Sequence, residues 1–312
     1  MTAYVLRRLW QMIPTLAGVV LLIFFLFNAV GGDPALVLAG KITNPEQIAN
    51  IRKQLGVDEP YWYQLWVFVQ QIVTFDFGRS WATNEEVSKI FLTRIGPTLT
   101  IMIPVLVLET VIGVILAIGV AYVRGTLTDR LIMMVCTVAM SVSFLVYIIV
   151  AQYYFGFKWG IFPVQGWTDS FARNLVLYAP LPIMLAVFVS LAPSLRLYRS
   201  FFLDEINHDY VRTARAKGLS EKVVLLKHVL RNAMIPILTN VAVSLPGIFV
   251  GSFLIEVFFS IPGLGRELLL AVNRSDYPVI QAFAIYTAVI TMLVNLATDV
   301  LYTLVDPRVV LK

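Results

Sequence analysis

The stretch "DYVRTARAKGL", residues 209–219, stands out in a chain of 312 residues that is 59% hydrophobic. It is basic, through Arg212, Arg215 and Lys217, and nothing from 209 to 217 interrupts a helix. Gly218 is the residue preferred just past a helix end, where the backbone turns left-handed. Ser220 is placed to cap a second helix over "EKVVLLKHVLR". The spacing predicts two short helices hinged at a glycine, with small or apolar Val211, Ala214 and Ala216 among the charges. Basic charge in a loop has a plain origin in membrane topology, but a paired-helix geometry beside a glycine suits close docking by another surface.

Outward from this segment the chain turns apolar. Only 14% of its residues are charged, against about 25% in soluble domains, and mean hydropathy is +0.81. These values exclude an ordinary water-soluble fold. The formal charge of +5 is read as cytoplasmic bias of a membrane protein, not as a nucleic-acid surface. A span needs roughly 20 apolar residues, and six runs qualify: Leu9–Val30, Ile95–Val123, Leu131–Phe157, Asn174–Leu195, Asn232–Ile255 and Tyr277–Thr298. Their continuity argues for helices, since barrel strands alternate. Prolines 104, 182, 193, 236 and 246 fall in or near them, which membrane helices tolerate. The first run follows Arg7 and Arg8 like a signal peptide, but it is too long and lacks a clear cleavage site, so an uncleaved helix is expected.

With the N-terminus inside, fourteen Lys and Arg fall on inside segments and four in the two short outer loops. This bias places both termini in the cytoplasm. The expected fold is all-α, with six transmembrane helices. Residues 1–93 form the first span plus an external helical loop. Residues 94–305 form a five-helix domain with a cytoplasmic loop at 196–231, and residues 306–312 form a tail. In the long external loop, "NPEQIANIRKQLG" reads as a helix with Asn44 as cap, Pro45 at its first position, Gln47 at its third and Gly56 past its end. "PYWYQLWVFVQQIV" (60–73) reads as a second helix. Its Tyr61, Trp62, Tyr63 and Trp66 suit either a lipid interface or packing against the spans.

At 212–218 the segment resembles the cytoplasmic E-A-A-x-x-x-G loop of ABC importer permeases, with Arg212, Thr213 and Ala214 in the first three slots. "DYVRTARAKG" is similar to the form in the dipeptide/oligopeptide (peptide/nickel) branch. The generic pattern has a proline thirteen residues after the glycine, where this chain has Arg231. "LRRL" with "IPTLAGV" (6–19), "GGDPA" (31–35), "DFGRS" (76–80), "LRNAMIP" (230–236), "FFSIPGLGRELL" (258–269) and "SDYPVIQ" (275–281) resemble the same branch. The resemblance implies a type I permease fold and a chain that is one of two paired permeases in the prokaryotic inner membrane. It also implies two ATPases below, which hold ATP and Mg, and a substrate-binding protein outside. ATPase coupling would fall to Tyr210, Arg212, Thr213, Ala214, Arg215, Lys217, Gly218 and Leu219. The cargo implied is peptide, with glutathione, nickel chelates and oligosaccharides as alternatives.

The chain has no G-x-x-x-x-G-K-[ST], H-E-x-x-H or G-x-S-x-G. It is therefore expected to be no enzyme and to carry no cofactor or metal of its own; His208 and His228 lie too far apart for a zinc pair. Glu109 is an acid within a span, which is either a proton carrier of an ion-coupled transporter or a hydrogen-bonded carboxyl at a helix contact; the second is expected. Asp299 is expected to pair with loop arginines. Cys136 reads as a small buried side chain. Pro262, Gly263 and Gly265 form either a tight exposed loop or a shaped outer gate element, and the resemblance favours the gate.

Overall fold

The computed structural model describes residues 2–30, 35, 45–56 and 58–305. The Asn44 cap, the side chain of Gln47, all of "GGDPA" except Ala35, and the 306–312 tail lie outside them. The chain runs through α1 (Thr2–Phe25), α2 (Pro45–Leu55), α3 (Tyr61–Thr74), α4 (Val87–Tyr122), α5 (Leu127–Ser141), α6 (Phe144–Ala151), α7 (Pro180–Ile206), α8 (Asp209–Ala216), α9 (Leu230–Val250), α10 (Phe253–Phe258), α11 (Leu264–Asn273) and α12 (Tyr277–Val305). Wider, π-type turns at Leu26–Val30, Gln152–Lys158, Asn174–Tyr178 and Val224–Val229 extend several of these helices.

Among the described residues, five helices are long and apolar enough to cross a membrane, or six if a bent pair counts as one span. The pair corrects the third expected span, which is not one helix. Leu127–Ser141 and Phe144–Lys158 meet at 90°, because Val142 and Ser143 are extended (ψ 133° and 138°) and stop the first helix. The Tyr147 hydroxyl bridges the corner by donating to the Ala139 carbonyl at 2.9 Å. The fourth span, Pro180–Ile206, follows directly on the wide turn Asn174–Tyr178 and runs past the expected end at Leu195. Tyr198, Phe202 and Ile206 recur every fourth residue on its buried face, so the apolar stripe outlasts the apolar run. The fifth is interrupted at Gly251, which takes φ +77°, and resumes at Phe253, so the candidate span covers Glu221–Phe258 and includes the expected Asn232–Ile255. The expected loop helices form at Pro45–Leu55, followed by Gly56 at φ +66°, and at Tyr61–Thr74.

The chain divides into two compact units. The first joins Met1–Gly96 to Gly263–Lys312. In it Val20 and Ile23 of α1, Phe68 and Ile72 of α3 and Ile285 of α12 form one cluster, while Val87, Ile90, Ala271, Val279 and Ala282 form another. The second unit is Pro97–Pro262. Its axis is α7, of which half of the most apolar window is buried, against 11–22% in the other single-helix spans. Large apolar side chains stay outward on its α5 helix, such as Met134 (60% exposed) and Val135 (66%). Such a surface fits lipid or a partner helix, not water.

Candidate functional site: the 209–221 elbow

Helix α8 lies across the ends of two longer helices. Val211 and Ala214 point into a cluster with Phe202 and Ile206 of α7 and with Val224, Leu225 and Val229 ahead of α9. Fully burying a Val or Leu side chain stabilises by roughly 1.5–3 kcal/mol. Four such residues here, Val211, Val224, Leu225 and Val229, are each no more than 2% exposed. Their contribution is on the order of 10 kcal/mol as an upper bound. The elbow is thus fastened to the helices behind it.

The turn at its apex is a left-handed glycine. Gly218 has φ +77°. Its amide donates to the Arg215 carbonyl at 2.9 Å and the Leu219 amide to Ala214 at 3.4 Å, so the freed helix-end carbonyls find partners. Ser220 sits where a cap belongs but makes no capping hydrogen bond with its side chain. The second helix is started instead by the Val224 amide on the Ser220 carbonyl, at 3.0 Å, and by a pair across the glycine. In that pair Arg215 donates from Nε (3.0 Å) and Nη2 (2.7 Å) to the Glu221 carboxylate. The Glu221 hydrogen bond raises the Arg215 pKa above its ordinary value. At the other end Tyr210 donates to Glu205 at 2.6 Å and stacks on His208, with ring centroids 6.0 Å apart. Burial first, then the Glu205 hydrogen bond, pushes the Tyr210 hydroxyl up to about 12, so it stays a donor at neutral pH.

The eight residues singled out by sequence therefore divide. Val211's neighbour in the core, Ala214, is buried, while Tyr210 and Arg215 are half-buried and engaged within the chain. Arg212, Thr213, Lys217, Gly218 and Leu219 are exposed together with Ala216.

The other candidate residues also have definite places. Glu109 is half-buried where α4 meets α7; Ser194 Oγ donates to its Oε1, and Ser190 is within hydrogen-bonding reach. Gly113, one turn on, lets the helices approach: a Cβ there would lie 3.1 Å from the Tyr198 ring. Asp299 pairs with Arg8 of the N-terminal helix at 3.0 Å. Pro262 is half-buried and Gly263 and Gly265 are buried at the start of α11.

Three buried acids escaped the sequence reading. Asp129 is 4% exposed and takes two hydrogen bonds from Arg199, at 2.8 and 2.7 Å, and one from the Gly125 amide at 3.0 Å. Asp276 accepts from Ser80 Oγ at 2.5 Å and from the Trp81 amide at 3.0 Å, clasping the "DFGRS" and "SDYPVIQ" blocks together. Glu256 is 1% exposed and accepts from Thr98 Oγ1 at 2.9 Å. Their side-chain partners, Arg199, Ser80 and Thr98, lie far along the chain and leave no local pattern to read.

Comparison with known proteins meets this geometry. Residues 109–311 match the family described as "Binding-protein-dependent transport system inner membrane component". Residues 1–102 match its N-terminal companion, "Binding-prot-dependent transport system membrane comp, N-term". The chain belongs to this family. It is an ABC importer permease, a multi-pass protein of the inner membrane. It is 36% identical over 312 residues to the glutathione transport system permease protein GsiC of Salmonella typhimurium (strain LT2), covering 99% of each chain. It is also 36% identical over 313 residues to the GsiC protein of Escherichia coli (strain K12), again covering 99% of each.

Proposed function

We propose that this permease pairs with a sister permease to carry small peptides of about glutathione size, delivered by an external binding protein. The full-length similarity to glutathione permeases carries the cargo assignment, and glutathione is itself a tripeptide. A nickel chelate or an oligosaccharide is the competing cargo. Two ATPase subunits, holding ATP and Mg, drive the cycle from the cytoplasmic side, where both termini lie.

The elbow is the coupling element. Its exposed face, Arg212, Thr213, Ala216, Lys217 and Leu219, meets the ATPase. Its underside grips α7 and the helix leading into α9. Motion of the ATPases then moves two spans rather than bending a loop, because the buried contacts and the Arg215–Glu221 pair stiffen the elbow. Tyr210, Ala214 and Arg215 act from behind the contact by holding its shape. Pro262, Gly263 and Gly265 set the start of α11 at the outer gate.

The test is charge reversal on the exposed face. Arg212→Glu with Lys217→Glu leaves every buried contact intact. Loss of copurifying ATPase and of ATP-driven uptake is expected; assembly and uptake at wild-type levels would overturn the assignment. For cargo, the binding protein that copurifies with this permease is isolated and its ligand identified by mass spectrometry. A peptide supports the reading, and a metal chelate or sugar defeats it.

A further inference from the structure

We propose that α3, Tyr61–Thr74, is an interfacial helix. Its Trp62–Trp66–Val73 edge lies among the lipids at the boundary of headgroups and acyl chains, in the leaflet at the C-terminal end of α1. This rests on the membrane location of the chain and not on its cargo or its coupling element.

Residues 62, 66 and 73 fall on one edge of the helix at 3.6 residues per turn. They remain 72%, 64% and 75% exposed. Trp62 and Trp66 therefore do not pack on the spans of this chain. A different edge does: Phe68 and Ile72 join Val20 and Ile23 of α1, and the Phe68 ring centroid is 6.3 Å from that of Phe24.

This contact fixes a depth. Ile23 lies two residues before the end of α1 at Phe25 and seven before Val30. At 1.5 Å per residue the contact is about 3–10 Å below the end of the span. Helices lying in the interface bury their apolar face by about 5–10 Å. The outward edge of α3 is thus level with lipid and not with bulk water. The span beside it presents the same kind of surface, with Leu22 and Phe25 65% and 66% exposed.

The third side of the helix is polar. Gln64 and Gln71 line a cavity of about 550 Å³ together with Asn28 and Lys53. A polar-lined cavity on one side and an apolar edge on the other is the distribution an interfacial helix requires. No charged residue occurs from Tyr61 to Phe75, whereas a surface that docks a soluble protein has a polar rim. Trp and Tyr are the residues enriched at this depth, with rings in the headgroup region.

The experiment uses the whole complex in vesicles of phosphatidylethanolamine and phosphatidylglycerol. Cys136 is the sole cysteine, so Cys136→Ala gives a background for nitroxide labels at Trp62→Cys, Trp66→Cys, Val73→Cys, Gln70→Cys and Thr74→Cys. Collision rates are compared for oxygen, which partitions into lipid, and for a water-soluble nickel chelate. The expected oxygen-to-nickel ratio is above one at 62, 66 and 73 and below one at 70 and 74. A ratio below one at all five positions means a water-facing docking surface and overturns the proposal. Shielding of 62, 66 and 73 from both reagents means that a protein partner covers the edge, and also overturns it. Val73→Cys and Gln70→Cys leave all the aromatics in place, so they give the answer even if the tryptophan variants do not accumulate. Uptake by the labelled complexes reports on coupling separately.

Discussion

Gly218 isolates one physical quantity. A Cβ built there meets nothing within 4 Å, yet the backbone sits at φ +77°. Substitution therefore carries no clash, only the cost of holding an L-residue left-handed, roughly 1–2 kcal/mol and more when the side chain is branched at Cβ. That cost works against a turn that the Arg215–Glu221 pair holds closed. A shift of 1–2 kcal/mol changes a two-state population by about 5- to 30-fold. Asn enters this region more readily than other L-residues. Gly218→Asn is thus expected to keep most ATP-driven uptake, Gly218→Ala to lose about 5-fold, and Gly218→Val about 30-fold, with normal membrane insertion in all three. The assay coexpresses all subunits, measures ATPase retained per permease after purification, and follows uptake into proteoliposomes with the loaded binding protein. Glu221→Gln on the Val background should deepen the loss beyond the sum of the single changes, since both act on one turn. Wild-type uptake in the Val variant, or equal losses for Asn and Val, would falsify the reasoning, because backbone conformation would then not be what the glycine supplies.

Asp129→Asn should destabilise the detergent-solubilised complex by roughly 3 kcal/mol, the cost of leaving a largely buried Arg199 without its carboxylate, measured by thermal unfolding monitored with a thiol-reactive dye at Cys136. Glu109→Gln should retain uptake, because an amide can still accept from Ser194; reconstituted complexes that assemble but do not transport would restore the proton-carrier alternative. Tyr210 has its folded pKa raised from 10.0 to about 12, so its contribution is complete below pH 10 and is lost as pH climbs towards 12. Alkaline melting curves should show that loss in the wild type and a smaller one in Tyr210→Phe.

Local patterns carried the spans, the loop helices and the glycine elbow, because each is written in consecutive residues. Apolar runs marked where helices cross, and a glycine after a basic helix marked the left-handed turn. The 90° corner at Val142–Ser143 has no proline or glycine, and the apolar run passes straight through it. The extra turns of α7 were hidden because Arg196 and Arg199 interrupt the run while Tyr198, Phe202 and Ile206 keep the stripe. At the elbow, sequence supplied the list of residues but not their directions. Which of Ala214, Arg215 and Lys217 faces outward depends on the helices behind, and Glu221 emerged as the partner of Arg215 only in three dimensions. Asp129, Asp276 and Glu256 find partners 70, 196 and 158 residues away, distances over which no periodicity speaks.

The first compact unit is built from the two ends of the chain, with α1 packed on α12 through Val20, Ile23 and Ile285 and the Asp276 clasp closing on Ser80. Biogenesis inherits this arrangement. A ribosome adds about 5–20 residues per second, so after Gly96 emerges roughly 10–40 s pass before the closing helix is complete. Through that interval α1 sits in the bilayer without its permanent neighbour, and Arg8 without Asp299. A nascent chain halted before Asp276 has every span but the last, and in this unit Val20 and Ile23 meet Phe68 and Ile72 but not Ile285. In such a product α1 and α3 sit together without the helix that closes their cluster, and the beginning of the chain has not met its end.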